Sequence, residues 1–208
     1  MNPDSTTERR HPRLKTRLKE LARDQILAGA EEAFAAEGLH GTRMETIARR
    51  VGVAVGTLYN HFKDRDALFH ALLEARRDEL FSRVDRAIEA GARLAFEKQL
   101  ELFFSAFFDH LEQHLPFMGV VIEGENGAGA HQKKMMQELR KRTSALVGRG
   151  VRAGTLRPTD VDLFGPMLLG IVKVAMLRRV RGEDTSPRLH DQIPRLIRFF
   201  LHGAASAR

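Results

Sequence analysis

The feature that most constrains this chain is residues 42–65, two short amphipathic segments joined by a glycine. Thr42 and Glu45 have the spacing of a capping box, which predicts that a helix begins at Arg43. The apolar positions of this helix recur at helical spacing: Met44, Ile47, Ala48 and Val51. Gly52 follows directly and suits the left-handed conformation that ends many helices. The chain is therefore expected to turn sharply here.

A second short helix is predicted directly after this turn, with Val53, Leu58 and Phe62 on its apolar side. Two helices that cross steeply need a small side chain at their contact, and Ala48 provides one. These are features of a helix-turn-helix, whose second helix can enter the major groove of DNA. From the pattern alone, an ordinary helical hairpin inside an all-α core is an equal alternative.

The longer run GTRMETIARRVGVAVGTLYNHFKDRDALF resembles the N-terminal DNA-binding signature of the TetR family of transcriptional regulators. The matching positions are Gly41, Ile47, Ala48, Gly52, Val53, Gly56, Leu58, Tyr59, Phe62 and the basic Arg65. The resemblance implies an all-α fold with an N-terminal three-helix DNA-binding domain. A larger helical bundle that dimerises and binds a small effector would follow it.

Composition agrees with a helical protein whose partner is a polyanion. The 208 residues carry a formal net charge of +7, and the absence of cysteine excludes disulfides and thiolate metal sites. No apolar run approaches the roughly 18 residues of a membrane span, and the N-terminus has no signal-peptide core. We therefore expect a cytoplasmic protein without a membrane partner. No cofactor and no enzyme active-site motif is indicated.

Three regions are expected along the chain. A flexible basic arm occupies residues 1–19, a helix-turn-helix domain residues 20–66, and an effector-binding and dimerisation domain residues 67–208. The arm could follow phosphates or enter a minor groove, or it could be a solvated tail with no fixed role. The first helix is predicted to begin at Leu14 or at Glu20 and to run to Glu37, where Gly38 ends it.

The third region is predicted to begin with a long helix that Asp64 caps and Gly91 ends. Residues 96–115 form a helix with a broad phenylalanine face, which Pro116 stops. A loop at residues 124–130 precedes a basic helix at 131–151. Residues 161–177 are apolar nearly all round, so their helix must be covered on both sides. Pro166 kinks that helix or marks its first turn.

The resemblance implies DNA contacts residue by residue. The positions of Tyr59, His61 and Arg65 touch the phosphate backbone in TetR-like proteins, and Lys63 and Thr42 are further candidates. The side facing the major groove would consist of Val55, Gly56, Thr57 and Asn60. Arg43 could reach a phosphate or a guanine.

Ala54 departs from the family pattern, which often has serine or another capping residue there. The loss of a side-chain N-cap costs about 1 kcal/mol in typical hosts. Because residues 54–61 contain no lysine or arginine, base discrimination is expected to be modest or to depend on DNA shape.

The candidate effector pocket is an aromatic and methionine-rich set in the third region. Its members are Phe103, Phe104, Phe107, Phe108, His110, Leu111, Phe117, Met118, Met135 and Met167. A phenylalanine stripe at helical spacing is as readily plain core. His110 and His114 are one helical turn apart, but a pair without a third ligand is weak evidence, so no metal is predicted.

The candidate dimer surface combines the apolar helix at 161–177 with the last helix, in a four-helix bundle with their symmetry mates. Its residues are Leu163, Leu168, Ile171, Val172, Ile193, Leu196, Ile197 and Phe200. Packing of both helices inside one monomer is the alternative. The resulting function is a homodimeric repressor that binds double-stranded DNA at a palindromic operator and is released by a small lipophilic effector. A non-specific architectural DNA binder and a helical protein-interaction module are alternatives.

Overall fold

A computed structural model describes residues 10–123 and 129–204 of the chain, with side chains described in 16–122 and 133–202. Across these ranges it contains nine α-helices, two short 3₁₀ helices and no strand, so the all-α prediction is confirmed. The chain divides into two compact units, Met1–Ala75 and Arg76–Arg208. Among the described helices, none is long and apolar enough to cross a membrane.

The first unit contains helices α1 to α3 and the beginning of α4. Their bounds are α1 Arg10–Gly41, α2 Met44–Val51, α3 Val55–His61 and α4 Arg65–Ala90. The core between them is small and apolar, with Ala30, Phe34, Ile47, Leu58 and Leu68 almost inaccessible to solvent. The rings of Phe34 and Phe69 meet edge to face with centroids 5.1 Å apart. Aromatic packing of this kind fixes α1 against α4 within the unit.

Helix α1 is longer than predicted and includes a break where the sequence predicted its end. Gly38 has φ 73°, a left-handed conformation, before one further helical stretch to Gly41. The predicted capping box is wrong. The Thr42 hydroxyl donates backwards to the carbonyl of Gly38 at 2.7 Å, and Arg43 becomes the residue before α2.

The second unit contains the rest of α4 and five further helices. Their bounds are α5 Phe96–Gln113, α6 Leu115–Glu123, α7 Gly129–Arg152, α8 Val161–Val180 and α9 Ile193–Ala204. The 3₁₀ helices Pro158–Asp160 and Leu189–Gln192 lead into α8 and α9. Phenylalanines of α5, together with apolar residues of α7, α8 and α9, form the core of this unit.

Pro116 does not act as predicted, because helix α5 already ends at Gln113 and Pro116 lies in the first turn of α6, where the missing N–H is not needed. Pro166 lies within α8, beyond its first turn, so the first-turn alternative is wrong and the kink stays a prediction. The predicted loop at 124–130 is wrong at its end, since Gly129 and Ala130 already belong to α7. Residues 124–128 lie outside the described residues.

Candidate nucleic-acid interface and ligand cavity

The turn between α2 and α3 has the predicted geometry. Gly52 adopts φ 77°, and the N–H groups of Gly52 and Val53 both donate to the carbonyl of Ala48, at 2.9 and 3.0 Å. A β-carbon at Gly29 of α1 would lie 2.4 Å from Cγ2 of Val51, so α1 and α2 approach very closely there. These two features fix the direction in which α3 leaves α2.

Helix α3 is anchored on one side and open on the other. Leu58 is fully buried, and Phe62 directly after the helix is 5% exposed. The guanidinium of Arg23 from α1 lies over the Phe62 ring at 5.1 Å, which adds a cation–π contact to this anchor. The opposite side of α3 therefore remains available to a partner.

Most of the predicted DNA-contact residues lie on this open side or beside it. Gly56, Tyr59, Asn60 and Lys63 are exposed, while Val55, Thr57 and His61 are half-buried. Tyr59 has 51% of its surface accessible, so packing against α1 is not its main environment. The segment VGTLYNH contains no acidic residue, which leaves no local charge to repel a phosphate.

Three further predicted residues are placed at the edges of this surface. Arg65 is half-buried, donates to Asp66 Oδ1 at 2.9 Å and reaches the carbonyl of His40 at 3.4 Å. Arg43 is exposed beside the start of α2. Thr42 is only 1% exposed and bonded to Gly38 and Ala33, so its hydroxyl faces the interior rather than a phosphate.

Two local predictions near α3 are confirmed. Ala54 precedes the helix without any side-chain cap. Asp64 caps α4, since its Oδ1 accepts a hydrogen bond from the Ala67 N–H at 2.7 Å. The basic arm lies partly outside the described residues, but Arg17 and Lys19 are exposed on α1.

The second unit contains an apolar cavity of about 440 Å³ that is partly open to solvent. Its walls come from α4 to α8 and consist of Leu80, Phe107, Leu111, Met118, Ile122, Met135, Met136, Leu139, Leu169, Val172, Met176 and Leu177, with Lys133 and Lys173 as the charged members. Such a volume lies within the range of small-molecule sites, about 300–1,000 Å³. Neither lysine ammonium forms a hydrogen bond or ion pair with another described residue.

The predicted pocket residues are only partly the ones that line this cavity. Phe107, Leu111, Met118 and Met135 do so. Phe103, Phe104, Phe108 and Phe117 are instead at most 1% exposed and pack as core. His110 is buried outside the lining, and Met167 lies in a shallow cleft beside α9. The lining residues that sequence reasoning missed include Leu80 of α4, Leu139 of α7 and Met176 of α8.

The predicted dimer surface includes residues that one chain buries by itself. Leu168, Ile193, Ile197 and Phe200 are at most 4% exposed, so no second copy can cover them. Ile171, Val172 and Leu196 are half-buried, and only Leu163 is freely accessible, at 55%. Apart from Val161 at the start of α8, the large apolar residues exposed on α8 and α9 are Leu163, Met167, Val174 and Phe199, and we call these four the α8–α9 face.

The first unit contains two helices joined by a sharp turn at a glycine, and the second of these helices has no acidic residue. The second unit contains an apolar cavity. Together these features define a helix-turn-helix regulator. Residues 26–72 match the family model described as bacterial regulatory proteins, tetR family. The transcriptional repressor KstR2 of Mycolicibacterium smegmatis is 30% identical over 146 residues, which cover 68% of this chain and 71% of that protein. The chain belongs to the TetR family of transcriptional regulators.

Other relatives and solved structures agree with this assignment. The nucleoid occlusion factor SlmA of Vibrio atlanticus is 27% identical over 77% of this chain and 85% of its own. FadR of Bacillus subtilis in complex with stearoyl-CoA superposes with a TM-score of 0.71 at 21% identity, over 86% of this chain and 97% of that one. The ketosteroid regulator KstR2 of Mycobacterium tuberculosis superposes with a TM-score of 0.67 at 24% identity, over 89% of this chain and 95% of that one. At these sequence identities, the similarity to the two solved structures shows only that the fold is shared.

Proposed function

We propose that this regulator is a homodimeric repressor that binds a palindromic operator and releases it when a lipophilic effector occupies the cavity. The observation that carries the proposal is the apolar cavity of about 440 Å³ in a chain whose other unit is a DNA-binding helix-turn-helix. In a chain of this family of regulators, a cavity of this size is best explained as a sensor site.

The proposed DNA contacts are those of the open side of α3. Tyr59, His61, Lys63, Arg65 and Arg43 would bind phosphates, and Val55, Gly56, Thr57 and Asn60 would face base edges. Burial of Thr42 argues against its side chain as a contact. Since α3 lacks a lysine or arginine, sequence preference would come from apolar and amide contacts and from DNA shape.

The α8–α9 face would join two copies about a two-fold axis. Its four large apolar side chains are exposed in the single chain, with Phe199 the most accessible at 72%. At Gly170 on α8, an added β-carbon would meet nothing within 4 Å, so a partner helix has room to approach. Two recognition helices related in this way would read two half-sites about one DNA turn apart.

The expected domain boundary near residue 66 remains part of the proposal. Helix α4 runs without interruption from Arg65 to Ala90 and so belongs to both compact units. Leu80 on the same helix lines the cavity. A ligand that shifts α4 could therefore change operator affinity.

The effector is proposed to be an acyl chain with an anionic head group. FadR of Bacillus subtilis, which shares the fold, was solved with stearoyl-CoA. In this chain the cavity wall is apolar, and its methionines suit a flexible chain, since methionine side chains adapt to irregular shapes. Lys133 and Lys173 place positive charge beside these walls, which complements a carboxylate or phosphate.

Two measurements on the purified full chain test this function. Selection of DNA sequences followed by footprinting should yield one short palindrome bound by a dimer. Titration of that complex with acyl-CoA thioesters should weaken operator binding roughly 5–150-fold, whereas coenzyme A alone should not. Uniform protection of unrelated DNA would favour the architectural alternative. A palindrome that no acyl compound releases would contradict the effector while leaving the operator function standing.

A further inference from the structure

A buried polar cluster in the second unit is not used by DNA binding, dimerisation or the cavity. It joins Glu79 of α4 with His110 of α5 and His114, the residue that follows α5. One ligand atom from each side chain lies within 4.8 Å of the other two. His114 Nε2 is 3.3 Å from Glu79 Oε2, and His110 Nδ1 is 4.0 Å from Glu79 Oε1.

Both imidazoles are enclosed by protein, and one buried nitrogen has no hydrogen bond. His110 and His114 are 5% and 4% exposed, with ring centroids 4.7 Å apart. His110 Nδ1 forms no hydrogen bond with any described residue. A buried polar atom without a hydrogen bond is unfavourable, so this position favours a bound ligand.

Burial and neighbouring groups shift the pKa values within the cluster. Burial lowers the pKa of His110 to about 4, with further lowering by His114, Arg83 and Arg76 and an opposing effect of Glu79. Burial alone would raise the pKa of Glu79, but the hydrogen bond from Arg83 and the charges around the carboxylate lower it.

Two arginines hold the carboxylate in place. Arg83 Nη2 is 2.7 Å from Glu79 Oε1, and Arg76 Nη1 is 3.1 Å from Oε2. Partners of this kind orient a ligating side chain. Their positive charges also oppose a cation, so the affinity should be lower than that of a structural zinc site.

We propose that Glu79, His110 and His114 form a binding site for one divalent transition-metal ion, of the class of Zn²⁺ or Co²⁺. Imidazole nitrogen and carboxylate oxygen suit these ions, and three protein ligands leave a coordination position open. Because the three ligand atoms lie within 4.8 Å of one another, small side-chain movements would bring them to bonding distance of a common ion. The ion would clamp α4 to the junction between α5 and α6.

The sequence pattern does not reveal this site because its third ligand is not local. His110 and His114 are one turn apart in the sequence, and the pattern shows no third ligand at a metal-site spacing. Glu79 comes from the preceding helix and reaches the pair only through the packing of α4 on α5.

The experiment uses the untagged full chain, stripped of metal with a chelator and titrated with Co²⁺ while its visible d–d absorption is recorded. One Co²⁺ per chain should bind, Zn²⁺ should displace it, and the melting temperature should rise. His110→Ala, His114→Ala and Glu79→Gln should each weaken binding roughly tenfold or more. His190→Ala is the matched control, because His190 Nδ1 pairs with Asp109 at 3.2 Å without a third ligand.

The possible outcomes separate cleanly. Absence of Co²⁺ binding by the native chain overturns the site, and so does binding that the three variants leave unchanged or that the control abolishes. Circular dichroism in chelator shows which variants fold, and Glu79→Gln, which preserves the shape of the side chain, serves if a histidine variant does not. The result is independent of operator and effector binding.

Discussion

At Gly29 the backbones of α1 and α2 leave no space for a side chain. A β-carbon there would lie 2.4 Å from Cγ2 of Val51, and a β-branched valine has few alternative rotamers. Gly29→Ala should therefore separate the helices and lower the free energy of unfolding by about 1–3 kcal/mol, measured by urea denaturation. A variant as stable as the native chain would show that Val51 can rotate away at no cost.

Gly56 tests how closely α3 approaches DNA. An added β-carbon at Gly56 meets nothing within 4 Å, and the residue lies inside a helix, so Gly56→Ala should not destabilise the fold. If the backbone approaches base edges there, a methyl group should still reduce operator affinity severalfold. Fluorescence anisotropy with labelled operator measures this. Unchanged affinity would place Gly56 away from the groove.

Arg65 tests the binding of the DNA phosphates. Arg65→Glu should weaken binding to all DNA sequences alike and reduce the slope of log affinity against log salt by about one for each phosphate that is no longer neutralised. Arg93→Glu, an exposed residue in the turn after α4, makes the same charge change and should have little effect. Because Arg65 also reaches the His40 carbonyl, a melting curve must show that the variant is folded.

Thr42 shows that a local sequence pattern does not determine the hydrogen-bond partner of a side chain. The capping-box spacing of Thr42 and Glu45 is present, yet the hydroxyl bonds to Gly38 and Ala33 in the preceding helix. Gly52, by contrast, was predictable, because its positive φ is a requirement of the turn itself. Backbone requirements are local in sequence, whereas hydrogen-bond partners depend on which helix lies nearby.

Helix α9 presents two neighbouring phenylalanines to different environments. Phe200 is 1% exposed and packs edge to face on Phe164, whereas Phe199 is 72% exposed. Phe199→Glu should therefore dissociate the proposed dimer, seen as a halved mass by light scattering, and leave the fold intact. Phe200→Ala should instead lower the free energy of unfolding by about 3–5 kcal/mol. A Phe199→Glu chain that stays dimeric would exclude the α8–α9 face.

Helices α8 and α9 also show why the sequence predicted where the helices lie but not which side of each helix faces the core. The clean stripe of α9 faces the core of its own chain, so the residues left for a partner are those that interrupt the pattern, above all Phe199. Helix α8 is apolar nearly all round, and periodicity cannot distinguish its inner from its outer side. On α5, neighbouring helices close over Phe103, Phe104 and Phe108, and only Phe107 and Leu111 reach the cavity.

At the scale of the whole molecule, the fold class and the DNA-binding unit follow from the sequence, and the cavity does not. The helix-turn-helix is one contiguous segment, so its pattern is complete in residues 42–65. The cavity takes residues from five helices, α4 to α8. Its two lysines come from α7 and α8. Glu112 of α5, by contrast, does not line the cavity and accepts a hydrogen bond from the Leu189 N–H at 2.6 Å.

The most demanding prediction concerns the coupling between effector binding in the cavity and operator binding by the helix-turn-helix. Lys133→Glu replaces positive charge beside the cavity with negative charge, so an anionic acyl effector should bind at least severalfold more weakly, while operator affinity without effector stays unchanged. Lys134→Glu makes the same change one residue along α7, outside the lining, and serves as the control. Calorimetric titration with an acyl-CoA, on free and on operator-bound protein, should show the two ligands weakening each other by the same factor. If Lys133→Glu and Lys134→Glu lose the same effector affinity, only long-range charge matters. If the effector binds free and operator-bound protein equally well, the proposed coupling between the two sites is wrong.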